Sequence, residues 1–337
     1  PSRLAPLAMG IPGLLQALGG LWRERHARDY AGMRVAVDAH GWLHAGLASC
    51  ALELATGAPS KAHIRYCTKR VAMLRRCGAE PVLIFDGDRL PAKAKTNGER
   101  RRRREQARAE GQRKLGEGDL PGARSCFLQS LEVSPEMVAE LTQELEESGT
   151  KFIVAPFEAD AQMAYLSMHS YVDACISEDS DLLAMGCTRV LYKLQADGSG
   201  LELLLQDVLG GRPMEDFQAA CILMGCDYLP RIPRIGPKTA FQLVGQHGAD
   251  VRTLVREAAA MGIQVPAGYA EDFEAARRAL RHQLVLDPRT GREVPLRDEG
   301  GAAEGPGRRP SARQALAAAS PSPLRCASSD RSRSRSP

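Results

Sequence analysis

The sequence predicts an α/β fold, a mainly parallel central sheet with helices on both faces. Two observations carry this. Short apolar runs alternate with stretches of helical spacing along most of the chain, the pattern of strand–helix–strand units. Most of those runs also stop abruptly at carboxylates, and the carboxyl ends of parallel strands are where such sheets place their ligand sites.

Taken in order, Val35-Ala36-Val37 is the first strand, and "RVAVD" ends it at Asp38. Helical patterns follow over about 42–55 and 60–77. "PVLIF" at 81–85 is the next strand, running into Asp86 and Asp88. A long helical stretch at 100–147 separates it from "KFIVA" at 151–155, after which come Glu158, Asp160 and a helix over 159–168. "DACI" at 173–176 leads into Glu178, Asp179 and Asp181, and "RVLYKL" at 189–194 is the last strand of the series. Helices are expected at 214–224, ending at Asp227, and at 237–245. One acid behind a strand is an ordinary helix N-cap. Five acidic clusters, each directly behind an apolar run, are more than capping requires.

The remaining composition bounds the function. A chain of 337 residues, 44% hydrophobic, can bury a sizeable core. Its net charge of +4 is too small for a uniformly basic nucleic-acid coat. Nine cysteines form no C-x-x-C pair, which favours reduced, buried thiols over zinc ligands or disulfides. No apolar run approaches the ~20 residues of a membrane span. Residues 1–8 precede Met9-Gly10, the expected natural start, and are set outside the domain, which is placed at 9–300. From 301 to 337 the composition turns to Gly, Pro, Ser and Arg, with seven Arg against two acids, and predicts a disordered basic tail.

Converging carboxylates need compensation. Two unit charges ~4 Å apart repel by about 4 kcal/mol at an effective dielectric of ~20. Either some acids hold protons or cations lie among them. An all-oxygen donor set suits hard ions such as Mg²⁺, with Mn²⁺ as a substitute. A pair of such ions suits in-line attack on a phosphodiester. Asp179 and Asp181, two residues apart in a segment read as extended, are expected to point the same way, and Glu178 the opposite way. Glu158 and Asp160 share that spacing just before a helix, whose N-terminal dipole tolerates negative charge.

Residues 93–115 hold ten Lys or Arg against three Glu, including an unbroken Arg100–Arg104. The plain reading is a solvated helix face or an import signal. Lys93 and Arg100, seven residues apart, share one helical face, and beside an acidic site they are placed to grip a phosphate. Asn97-Gly98 is expected to weaken or kink that helix. "GEGDLPGARSCFLQSLEVSPEM" looks like half of a tetratricopeptide unit, but a single unit cannot bury its own face, so a helical hairpin extending the basic segment is expected. "IGPKTA" opens a helix whose free amides, with Gly236 and Lys238, can hold a phosphate without reading bases. "VLIFDGD" also matches the nucleophile motif of haloacid-dehalogenase-type phosphatases, a reading that leaves the other acids unexplained. A DNA-structure-binding protein without catalysis is the alternative from another class.

"MGIPGLL", "VAVDAHGWLH", "IFDGDRLPAK", "APFEADAQMAYL", "SEDSDLLAMG" and "GCDYLP…IGPKTA" together resemble the flap-endonuclease/XPG superfamily of structure-specific 5′ nucleases, over about Met9 to Leu296. The resemblance implies a PIN-like fold with a helical arch (about 89–147) and a helix-two-turn-helix (about 218–245). It implies 5′→3′ exonuclease and 5′-flap endonuclease activity with two Mg²⁺ ions. Asp38, Asp86, Glu158, Asp160, Asp179, Asp181 and Asp227 fall on the metal-site acids, and Lys93 and Arg100 on the phosphate-gripping pair. His44, Arg101, Arg104, Gly236 and Lys238 are the expected DNA contacts, and K⁺ is the family's ion at the helix-two-turn-helix. Double-stranded DNA with 5′ ends, nicks or flaps, a nuclear location, a monomer and mismatch-repair partners are the further implications. The long carboxyl-terminal extension that recruits such partners is not recognisable at 301–337. Arg234 and Arg231 stand where the family favours small residues, and His40 where Tyr is common.

Overall fold

A computed structural model describes residues 10–297 of the chain; the expected leader at 1–8, Met9 and the tail at 301–337 lie outside the described residues. Nine strands are present among them: β1 (Arg23–His26), β2 (Arg34–Asp38), β3 (Glu80–Phe85), β4 (Lys151–Val154), β5 (Ala174–Ile176), β6 (Arg189–Tyr192), β7 (Ser199–Leu204), β8 (Leu284–Asp287) and β9 (Arg292–Pro295). The first seven form one sheet in the order β1-β7-β6-β5-β2-β3-β4, and β8 and β9 form a separate hairpin. Strands β6-β5-β2-β3-β4 run parallel, so their carboxyl ends share one edge. β1 and β7 extend the sheet antiparallel beyond β6.

The helices are α1 (Leu14–Ala17), α2 (Ala39–Leu47), α3 (Ala51–Ala55), α4 (Ala62–Arg76), α5 (Ala94–Gly116), α6 (Leu120–Gln129), α7 (Pro135–Glu147), α8 (Ala159–Met168), α9 (Asp181–Met185), α10 (Leu205–Leu209), α11 (Met214–Met224), α12 (Pro237–His247), α13 (Val251–Ala260) and α14 (Tyr269–Arg281). Apolar side chains on one face of the parallel sheet pack with α8, α9 and α11–α14. Those on the other face pack with α2, α4 and α7. Burial on both faces is why these strands are apolar throughout rather than alternating.

The basic segment and the stretch behind it form the expected hairpin: α5 and α6 pack along each other, with Phe127 buried against Gly111. A methyl group on Gly111 would lie 2.7 Å from that ring, so the close approach requires glycine. One expectation fails. α5 runs unbroken through Asn97-Gly98. The weak point is bridged by tertiary contact, since the Thr96 hydroxyl donates to the Asp227 carbonyl at 2.7 Å, and a propensity penalty of about 1 kcal/mol is within reach of such contacts.

Candidate active site

The strand ends, α5 and the segment after α6 enclose a cleft of about 670 Å³. Asp38, Asp86, Glu158, Asp160, Asp179 and Asp227 line its floor, and Lys93, just before α5, with Arg100, Arg103 and Arg104 of α5 line its wall. Asp181 is fully buried beneath them.

Each acid arrives by a local rule. Asp38 ends β2 and caps α2, accepting the Gly41 amide at 2.8 Å, so the capping reading holds for it alongside its place in the cleft. Its other oxygen accepts the Ser177 hydroxyl at 3.2 Å. Asp86 follows β3 and accepts the Ala159 amide at 2.8 Å, which ties the β3 end to the start of α8. Glu158 is the N-cap residue of α8 without capping through its side chain, and Asp160 sits in that helix's first turn. Asp227 follows α11 and carries Lys93 Nζ at 3.0 Å and Arg100 Nη2 at 2.5 Å. Lys93 also lies 2.7 Å from Glu158.

The segment at 179–181 differs from the extended stretch expected. Ser180 is already helical and Asp181 opens α9. The two carboxylates are neighbours nonetheless, because Asp179 Oδ1 accepts the Asp181 amide at 2.8 Å. Glu178 turns away, accepting the Lys193 amide at 2.8 Å in a separate cavity behind Asp38.

Burial works against every charge here. It raises the Asp38 carboxyl above its usual range, with Asp86 adding repulsion. It pushes Asp160 and Asp181 well above theirs, with Asp179 adding repulsion to both. Asp179 itself is raised to about 6. At Asp227 burial also opposes charge, but Lys93 and Arg100 outweigh it and hold the carboxyl below its usual range. Burial disfavours the Lys93 ammonium in turn, and Tyr228, Glu158, Asp227 and Asp181 outweigh it, so the amine stays charged.

Can these residues hold divalent ions? Among the described residues no three His, Cys, Asp or Glu side chains already surround one point as ligands do. Lys93 occupies that role for Glu158 and Asp227. The donor chemistry does fit. Both oxygens of Asp181 are buried with no hydrogen-bond partner, a state that burial makes costly for a carboxylate and that a hard cation relieves.

The expected DNA contacts divide. His44 and Arg104 line the cleft, and burial, with Arg104 beside it, lowers the His44 imidazole below its usual range. Arg101 is exposed on α5 and pairs with Glu105. Gly236 and Lys238 open α12 away from the cleft lining, and Gly236 offers no side-chain cap to that helix start. Arg234 takes a left-handed backbone, φ 72°, where the family pattern favours glycine. Arg231 is accommodated by Gly225, on which a methyl group would lie 2.7 Å from the Arg231 amide. His40 is a cleft residue as well as a departure from the family's Tyr. It accepts the Asp86 amide at 3.2 Å and lies 3.4 Å from that carboxylate. The amino-terminal stretch sits beside the acids, with the Ile11 amide donating to Ser180 Oγ at 2.8 Å and Gly13 against Pro237. Tyr228 and Gln283, which both reach Glu158, carried no periodic or motif signal beyond the "GCDY" match.

Comparison with known proteins places this geometry. The chain matches the models of the XPG N-terminal domain over 9–107 and of the XPG I-region over 149–227. It is 39% identical over 305 residues to exonuclease 1 of Xenopus laevis, covering 87% of this chain and 41% of that protein. It is 31% identical to DNA damage-inducible protein DIN7 of Saccharomyces cerevisiae, covering 83% of this chain and 67% of that protein. The chain thus spans about two fifths of the length of its exonuclease 1 relative. Among solved structures, the catalytic core of Rad2 in complex with DNA substrate matches with a TM-score of 0.60 at 22% identity, covering 79% of this chain and 85% of that one. Flap endonuclease-1 from Methanococcus jannaschii matches with a TM-score of 0.54 at 24% identity, covering 78% and 83%. At these identities the structures speak for the fold.

Proposed function

This chain belongs to the XPG/flap-endonuclease superfamily, and on that premise we propose that it is a structure-specific nuclease that degrades duplex DNA 5′→3′ and removes 5′ flaps. The observation that carries the reading is the cleft itself: acids drawn from five separate chain segments meet under an arch whose inner side is basic. The phosphatase reading, with Asp86 and Asp88 as its pair and Asp179 and Asp181 as its later acids, leaves Asp38, Glu158, Asp160 and Asp227 and the basic wall without a use, and the family assignment excludes it.

Two Mg²⁺ ions, with Mn²⁺ as a substitute, would be held by Asp38, Asp86, Glu158, Asp160, Asp179, Asp181 and Asp227. Bound there, such ions supply activation of the attacking water and neutralisation of the leaving oxygen. The chain's own residues do the rest. Lys93 and Arg100, parked on Glu158 and Asp227 without substrate, transfer to the scissile phosphate and offset its developing charge. His44, Arg101 and Arg104 steer the strand beneath the arch. Gly236 and Lys238 hold a duplex phosphate at the α12 start, where K⁺ is the expected bridging ion. Contacts of this kind read backbone and shape, so sequence preference is weak and salt dependence steep. A monomer acting in the nucleus in DNA repair and recombination, with mismatch-repair proteins as partners, is the accompanying reading.

The test is a 5′-labelled flap and a 3′-labelled nicked duplex, each with Mg²⁺ and with EDTA. Flap release and stepwise shortening that both stop in EDTA are expected. Cleavage indifferent to EDTA would overturn the metal-dependent reading. Tight binding to both DNAs with no cleavage in Mg²⁺ would favour the non-catalytic alternative.

A further inference from the structure

The two oxygens of Glu158 have different surroundings. Oε1 faces Lys93 Nζ at 2.7 Å on the cleft side. Oε2 accepts the Tyr228 hydroxyl at 2.6 Å and Gln283 Nε2 at 3.2 Å. Gln283 Nε2 also reaches the Tyr228 hydroxyl oxygen at 2.7 Å and the Ala279 carbonyl at 3.0 Å. Gln283 is 3% exposed and stands between α14 and β8, beyond the last residue matched by either family model.

The orientation of that amide follows from its neighbours. Turned over, Oε1 would face a carboxylate and a carbonyl. As it stands, Oε1 is buried without a partner, at a cost of about 1–3 kcal/mol. Packing alone would be served better by an apolar side chain. A glutamine is explained by what its Nε2 does. The element carrying it is also fixed relative to Glu158, because Gln162 of α8 bonds both backbone groups of Leu286 in β8, at 2.8 and 2.6 Å.

We infer that Gln283 is a positioning residue for Glu158: with Tyr228 it engages one carboxylate oxygen and leaves the other as the oxygen presented to the cleft. The inference rests on the metal-dependent reading above and extends the site to the carboxyl-terminal hairpin. Partners that orient a ligand carboxylate are worth about 10–100-fold in metal affinity or activity.

The experiment measures Mn²⁺ binding to DNA-free protein by the electron paramagnetic resonance signal of the free ion, for the parent chain, Gln283→Leu, Tyr228→Phe and the double variant. Gln283→Leu is expected to weaken Mn²⁺ binding about 10-fold. Tyr228→Phe, which removes one hydroxyl and keeps the packing, should weaken it comparably. The double variant should fall short of the product of the two, because both act on one oxygen. Turnover on a flap should drop with KM for DNA unchanged. Parent-like Mn²⁺ affinity in Tyr228→Phe and Gln283→Leu would overturn the inference. A parent chain that binds no Mn²⁺ would overturn the reading beneath it. Should Gln283→Leu melt early, the Tyr228→Phe measurement decides.

Discussion

Removing the Lys93 ammonium tests the electrostatics of the cleft in one step. Lys93 is 8% exposed and bridges Glu158 at 2.7 Å and Asp227 at 3.0 Å. Deleting one partner of a buried ion pair costs about 3–5 kcal/mol. Two features soften the loss in Lys93→Ala: Asp227 keeps Arg100 at 2.5 Å, and Glu158 keeps its Tyr228 and Gln283 donors. About 2–3 kcal/mol remains, which is about 3–5 °C in melting temperature for a chain of this size. The loss should depend on ions. Ca²⁺ supplies the positive charge that the lysine no longer does, and a ligand at 100 times its dissociation constant stabilises by about 2.7 kcal/mol. Thermal melts of both proteins, in EDTA and in Ca²⁺, are the assay. The gap between them is expected to be wide in EDTA and narrow in Ca²⁺, while turnover in Mg²⁺ falls about 10²–10³-fold. An equal gap in the two conditions would refute the reasoning, because Lys93 would then matter for packing and not as a counter-charge.

Asp179→Ala should abolish flap cleavage in Mg²⁺ while DNA affinity in Ca²⁺ stays near the parent's; a variant that still cuts at the parent rate removes Asp179 from the site. The pH dependence follows from the same residue. Its folded carboxyl is raised to about 6 by burial, from an ordinary value of 3.8, so the folded state binds the extra proton and ion-free stability should fall as pH rises from about 4 to 6. Saturating Ca²⁺ should flatten that slope, and urea titrations in EDTA showing stability rising with pH over this interval would contradict it. Arg234→Gly should stabilise by about 0.5 kcal/mol, since relief of about 1–2 kcal/mol of left-handed strain exceeds about 0.4–1 kcal/mol of added chain entropy; a lower melting temperature would mean that the Arg234 bond to the Gly262 carbonyl outweighs the strain.

The parallel strands and the acids were legible because one physical demand writes both. A strand buried on two faces must be apolar along its length, and its carboxyl end meets solvent where the text turns polar. β2, β3, β4, β5 and β6 therefore announce themselves. β1 does not, because Arg23–His26 has no apolar residue and is a strand through its pairing with β7 at the sheet edge. The hairpin β8–β9 and helices α13 and α14 were not read either, although α13 and α14 each bury one side against the core. Asp179 and Asp181 were paired for the wrong local reason: spacing alone cannot tell an extended turn from the first turn of a helix. α5 shows the reverse error, where Asn97-Gly98 is a true local weakness overridden by a contact to Asp227, more than a hundred residues away. Gln283 belongs to the same class, because its partner is 125 residues distant and a single glutamine leaves no trace in any periodicity.

The cleft acids fall into two electrostatic groups, and the division explains why so much negative charge can be folded together at all. Glu158 and Asp227 carry Lys93 and Arg100 as basic partners, and Asp86 has His40 beside it. Asp38, Asp160, Asp179 and Asp181 form no ion pair among the described residues; Asp38 and Asp179 instead accept amide or hydroxyl hydrogens. Burial raises the carboxyls of that second group, so without ions its protonated forms are favoured relative to free carboxylates. Hard cations entering there would release those protons, whereas on the Glu158 and Asp227 side they must first displace Lys93. Under the proposed function the two sides would answer differently to the same ion, one by losing protons and the other by freeing Lys93 for a phosphate beside α5.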